Sequence, residues 1–213
     1  MAHSSKTSGV RRLTSTELAA WRAVPTAVIS DECGHRGVLA NIRPLLVGRS
    51  FAGQALTIET QDVDNGAPRA ALAEAWPGAV IIIDARAHPT SAVWGGKLIA
   101  IARSRGIAGV VVDGNVRDTA ELRVSGVPIC CRGVTPRGPV WGGQFNVAIE
   151  CGGVSITPGD LIVGDDDGVI AVPLGLATGE FLARCRARIK REAEQVTHAK
   201  GVAKAAKMRR GRP

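Results

Sequence analysis

Two hydrophobic patterns divide the chain. Between residues 67 and 130, short apolar runs alternate with amphipathic segments. Ala79–Asp84 and Val110–Val112 are apolar runs bounded by turn residues, as expected of strands buried on both faces. Ala67–Ala75, Val93–Arg105 and Thr119–Val124 read as helices, and Val127-Pro128-Ile129-Cys130 begins a third strand. This alternation predicts parallel strands joined by right-handed crossovers. After Gly138 the pattern becomes short strands, Val147–Glu150, Leu161–Val163 and Val169–Val172, separated by Gly, Pro and Asp. They predict an antiparallel addition to the core. Upstream, Thr14 stands three residues before Glu17, as in a capping box that starts a helix. Thr26–Cys33 reads as a second helix, ended by Gly34 and Gly37, and Arg49–Thr60 alternates as a strand. A long helix is predicted from Leu174 onward. The expected architecture is α/β, one domain over residues 14–200, with a disordered start at 1–13 and a basic, flexible tail at 201–213.

Composition narrows this picture. Tyr is absent and aromatics make up 3%, so the core must be built from Val, Ile, Leu and Ala. The net charge of +8 is unevenly spread: residues 184–213 hold eleven Lys or Arg against Glu192 and Glu194, a net of +9. The rest, sixteen basic and seventeen acidic side chains, nets −1. A neutral body without aromatic stacking platforms argues against nucleic-acid recognition, except through the basic tail. Five cysteines form neither a CxxC pair nor a Cys/His cluster, which predicts reduced thiols and a cytoplasmic protein. No apolar run approaches the roughly 20 residues of a membrane helix, so no membrane partner is expected.

Candidate chemistry gathers between Gly95 and Asp118. Arg117-Asp118 follows a buried strand and a Gly-Asn pair read as a turn. In open α/β sheets, ligands bind beyond the carboxyl ends of strands. Arg117 offers a fork of donors for carboxylate or enolate oxygens, and Asp118 is a hard oxygen ligand suited to Mg²⁺ or Mn²⁺. The competing reading makes Asp118 a cap for the helix after it. Gly95-Gly96, near the start of the 93–105 helix, leaves backbone N–H groups free for an anion, or is a plain turn. Neither a P-loop nor a GxGxxG fingerprint is present. Asp165-Asp166-Asp167-Gly168 lacks the ligand spacing of an EF-hand and reads as a hairpin turn. Cys130-Cys131 read as core, and His35 and His88 as isolated.

The stretch Trp94–Asp118, WGGKLIAIARSRGIAGVVVDGNVRD, resembles the signature of the RraA-like family, which includes class II 4-hydroxy-4-methyl-2-oxoglutarate aldolases with oxaloacetate decarboxylase activity. Thr26–Asp31, Gly48–Gly53, Pro158–Asp160 and Gly164–Val169 extend the likeness over roughly residues 14–200. The resemblance implies a swivelling β/β/α domain with a central mixed sheet and a long C-terminal helix, assembled as a homotrimer or homohexamer. It implies a metal-dependent lyase acting on a small 2-oxo acid through a pyruvate enolate, with Mg²⁺ or Mn²⁺ on Asp118. Arg117 would contact the keto oxygen. The amides of Lys97 and Leu98, following Gly95 and Gly96, would hold the carboxylate. Glu192, from a neighbouring subunit, would reach metal-bound water. Some family members instead bind a ribonuclease and regulate RNA processing. Two departures stand out: Gly96 occupies a position where the aldolases often carry an acid, and the sequence after Gly201 differs from the usual ending.

Overall fold

The computed structural model describes residues 10–60, 66–88, 90–138 and 143–210, with side chains to residue 199. The expected disordered start thus falls mainly outside the described residues. The first helix, α1 (Ser15–Arg22), opens with the predicted capping box: the Thr14 hydroxyl accepts from Glu17 N–H, and the Glu17 carboxylate accepts from Thr14 N–H. Helix α2 (Thr26–Glu32) has no cap of its own. Its first amide and the Thr26 hydroxyl donate instead to Asp165, at 2.8 and 2.7 Å.

Strands β1 (Arg43–Pro44) and β2 (Phe51–Glu59) lead into α3 (Gly66–Glu74), β3 (Val80–Asp84), β4 (Ala92–Trp94) and α4 (Gly96–Ser104). Next come β5 (Gly109–Val116), α5 (Thr119–Val124), β6 (Ile129–Val134), β7 (Gln144–Phe145), β8 (Ile149–Cys151) and β9 (Val154–Ile156). The chain continues through β10 (Leu161–Gly164) and β11 (Val169–Val172) to the long α6 (Gly179–Arg210). Among the described residues a nine-stranded mixed sheet runs β1-β6-β5-β3-β2-β10-β11, with β4 beside β5 and β7 beside β2. Strands β2, β3, β5 and β6 are parallel, placing Ile82 between Thr57 and Val111. Strand β10 attaches to β2 antiparallel, and β11 pairs antiparallel with β10, as expected of an antiparallel addition.

The uninterrupted apolar runs follow from a sheet covered on both faces. Ile81, Ile83, Val110 and Val112 pack under α3, α4 and α5 with Leu72, Leu98 and Leu122. Their neighbours Val80, Ile82 and Val111 point the other way, onto Leu39, Ile42, Ile149 and Ile156. A third cluster seats α1, α2 and α6 on β10 and β11, with Trp21 and Phe181 ring centroids 5.6 Å apart.

Two local expectations are corrected. Ala92–Trp94 is a strand on β5, and the helix placed at 93–105 begins at Gly96. Gly114-Asn115 is not a turn: β5 runs through it to Val116, with a register shift against β6 between Val112 and Asn115. A Cβ at Gly114 would lie 2.8 Å from that of Ala85, so glycine lets the next connection cross the strand. The Asp165–Gly168 segment is a hairpin turn, as read, and its first carboxylate also holds α2.

Candidate functional site

Strand β5 delivers Arg117-Asp118 beyond its carboxyl end, where Arg117 N–H donates to the Trp94 carbonyl at 2.9 Å. Asp118 occupies the N-cap position of α5, but its backbone is left-handed (φ 57°, ψ 43°) rather than extended as in an ordinary cap. Its carboxylate makes no bond to its own helix. It turns to α4 instead, where Oδ2 accepts from Gly96 N–H at 2.9 Å. The capping reading of Asp118 therefore fails for a conformational reason. Arg117 Nε lies 3.6 Å from the same oxygen, and both side chains stay more than one-third exposed.

The two glycines are required by what faces them. Gly95 is extended (φ −165°), a conformation open to any residue. A Cβ there would nonetheless sit 2.6 Å from Asp118 Oδ2 and 3.0 Å from Arg117 Cγ. A Cβ at Gly96 would overlap the Glu121 carboxylate, with Cδ at 2.6 Å. Glu121 stands one helical turn beyond Asp118, so α5 presents two carboxylates to one glycine step. Glu121 has no signal in the sequence, because a glycine gives no sign of what fills the space beside it.

The first turn of α4 divides its amides. Gly96 donates to Asp118, Leu98 and Ile99 donate to the Gly95 carbonyl, and the Lys97 amide has no partner among the described residues. A small, open cleft lies here, lined by Arg69, Trp94, Gly95, Lys97, Arg117 and Asp118 among others. The cleft thus unites Gly95, Lys97, Leu98, Arg117 and Asp118, with Gly96 and Glu121 behind. Arg69, on α3, had no sequence signal. A larger cleft between α2 and α6 includes Cys33, Arg36 and Arg184. It lies away from the carboxyl ends of the parallel strands, and the small cleft is the better candidate because its donors and carboxylate converge.

Glu192 is not among the residues lining the cleft of its own chain. On α6 it pairs with Arg188 at 2.8 Å, and Arg188 in turn meets Asp31 and Glu32 of α2. Among the described residues no three His, Cys, Asp or Glu side chains converge as a metal cage. A cation at this place would rest on Asp118 and water, a mode that suits Mg²⁺ and Mn²⁺ and their retained hydration shell. Asp118 fits that role, since Oδ2 holds the Gly96 amide and Oδ1 has no partner among the described residues. The thiols of Cys130 and Cys131 are pushed up to about 12 and about 11 by burial, which fits core residues rather than nucleophiles.

The RraA-like (Aldolase/RraA) family model matches residues 26–171, a span that contains every residue lining the cleft. The chain belongs to the RraA-like family. One RraA-like relative, "Putative 4-hydroxy-4-methyl-2-oxoglutarate aldolase" of Halalkalibacterium halodurans, is 43% identical over 158 residues, covering 73% of this chain and 75% of its own. The solved structure of Streptomyces coelicolor RraAS2, described as an unusual member of the RNase ES inhibitor RraA family, superposes with a TM-score of 0.76 at 30% identity. That match covers 88% of this chain and 98% of the other. The RNA-processing inhibitor RraA from Thermus thermophilis gives a TM-score of 0.64 at 30% identity, covering 70% and 92%. The RraA-like fold expected from the sequence is thus the fold observed. No helix among the described residues is long and apolar enough to cross a membrane.

Proposed function

We propose that this RraA-like chain is a divalent-metal-dependent lyase that cleaves 4-hydroxy-4-methyl-2-oxoglutarate-type 2-oxo acids to pyruvate and decarboxylates oxaloacetate. The observation that carries the reading is Asp118, turned off its own helix toward Gly96 beside Arg117, with the Lys97 amide free next to them. In this reading the amide end of α4 holds the substrate carboxylate, and Arg117 faces the keto oxygen. When the C3–C4 bond breaks, its electron pair forms the C2=C3 double bond and the carbonyl π pair moves onto the keto oxygen, giving the pyruvate enolate. CO₂ leaves from oxaloacetate. A second carbonyl product leaves from the aldol substrate, whose 4-hydroxyl gives up its proton. The enolate then takes a proton at C3. Arg117 binds the oxygen more tightly as its charge grows, which lowers the barrier rather than merely the ground state. Bound Mg²⁺ or Mn²⁺, held by Asp118, would supply further Lewis-acid stabilisation of that oxygen. Glu192 would be brought from a second copy in a homotrimer or homohexamer, to help move the proton.

The deciding assay is pyruvate release from oxaloacetate with Mg²⁺ or Mn²⁺, abolished by EDTA. Absence of release from both substrate types with either metal would overturn the reading. Gly95→Ala is expected to lower kcat/KM about 10- to 100-fold by displacing Asp118 and Arg117, since an ångström of misplacement carries effects of that order. Because Gly95 is extended, the unfolding midpoint should not move, and steady-state kinetics with a thermal melt checks both halves. A second reading, a non-catalytic partner of a ribonuclease, is supported by the likeness to structures named as RNA-processing inhibitors. Retention of a nuclease by both wild type and Asp118→Ala, with no pyruvate released by the wild type, would favour it.

A further inference from the structure

The cleft holds more positive charge than a monocarboxylate needs. Arg69, Lys97 and Arg117 line it against the single carboxylate of Asp118. Arg117 faces Asp118 and the reacting oxygen, the Lys97 amide takes one carboxylate, and the Lys97 ammonium is a point charge without the planar fork of a guanidinium. Arg69 has no such commitment: it makes no ion pair or hydrogen bond among the described residues. It projects from α3, whose Ala67, Pro68, Ala71 and Leu72 are buried and fix the helix on the sheet. Helix α3 packs on α4, so Arg69 is presented to the cleft from a wall other than the one carrying Arg117 and Asp118. A guanidinium is a planar fork matched to a carboxylate, and a free one at a substrate cleft is placed to pair with one.

We propose that Arg69 is the specificity-determining residue of the cleft, pairing with the far carboxylate of a dianionic 2-oxo acid. The inference rests on the 2-oxo acid reading above and adds the group that separates dicarboxylates from pyruvate itself. Its test is calorimetric binding, with Mn²⁺ present, of pyruvate and of 2-oxoglutarate, a dianion without the 4-hydroxyl needed for cleavage. Arg69→Met keeps the apolar stem and should weaken 2-oxoglutarate roughly 10- to 100-fold, the scale of a charged hydrogen-bonded pair. Pyruvate binding should stay within about twofold of wild type, and Arg69→Lys should recover part of the loss as a point charge without the fork. Wild type that binds both acids, with Arg69→Met losing neither or losing both equally, overturns this inference alone. Wild type that binds neither acid overturns the 2-oxo acid reading, and this inference with it.

Discussion

Arg117→Ala is expected to cut pyruvate release from oxaloacetate by about 10³-fold or more, and Asp118→Ala by as much, while both variants melt with wild-type protein. The scale is that of removing one preorganised donor or a metal ligand from the place where charge develops. Both side chains are more than one-third exposed, so neither supports the core and their loss leaves no buried cavity. Arg117→Lys separates two roles. Lysine keeps the charge but loses the fork that spans from Asp118 Oδ2 to the space beside Gly138, where a Cβ would approach Arg117 Nη1 to 2.5 Å. A kcat loss with little change in KM would place Arg117 on the developing enolate oxygen. An equal loss in KM alone would place it on the ground-state carboxylate. Variants that retain wild-type turnover would remove the catalytic role of this pair altogether.

The legibility of these elements in the sequence depended on how far apart their causes lie. Strand β3 was readable because Ile81, Ile82 and Ile83 are each buried on one face or the other of a doubly covered sheet. Apolar continuity is then a local signal of a global arrangement. The hairpin at Asp165–Gly168 was readable from its turn residues, but the bond from Asp165 to Thr26 spans 139 positions and left no trace. Strand β4 was lost because Ala92-Val93-Trp94 runs into the helix with only Gly95 between, and three apolar residues fit either period. At the site, Arg117-Asp118 stood out by following a strand. The left-handed backbone that turns Asp118 away from its helix did not, since nothing in an Arg-Asp-Thr sequence requires it. Arg69 and Glu121 were invisible for the same reason: each matters through a neighbour on a different element.

The strand that carries the site is itself anchored by a buried charge, and removing that charge is expected to be the most destabilising polar change near it. Asp113 lies on β5 and is 5% exposed. Its Oδ2 accepts from Gly152 N–H at 2.5 Å, and its Oδ1 pairs with the Arg132 guanidinium of β6. It thereby ties the parallel core to the β8–β9 hairpin, whose Ile149 and Ile156 close the second core cluster. Asp113→Ala strands the Gly152 amide and leaves a partly buried Arg132 unpaired. The expected cost is about 3–5 kcal/mol, the range for breaking a buried pair from one side. Asp113→Asn keeps an acceptor for Gly152 and should cost less. Guanidinium unfolding checks the prediction: the midpoint should fall while the slope holds, because the surface exposed on unfolding is unchanged. Asp113 also sits on β5 four residues before Arg117, which follows the strand's end, so loss of activity in Asp113→Ala should track the unfolded fraction. Activity that falls while the folded fraction stays high would instead make Asp113 a positioning residue for Arg117 and Asp118, acting along β5 rather than through global stability.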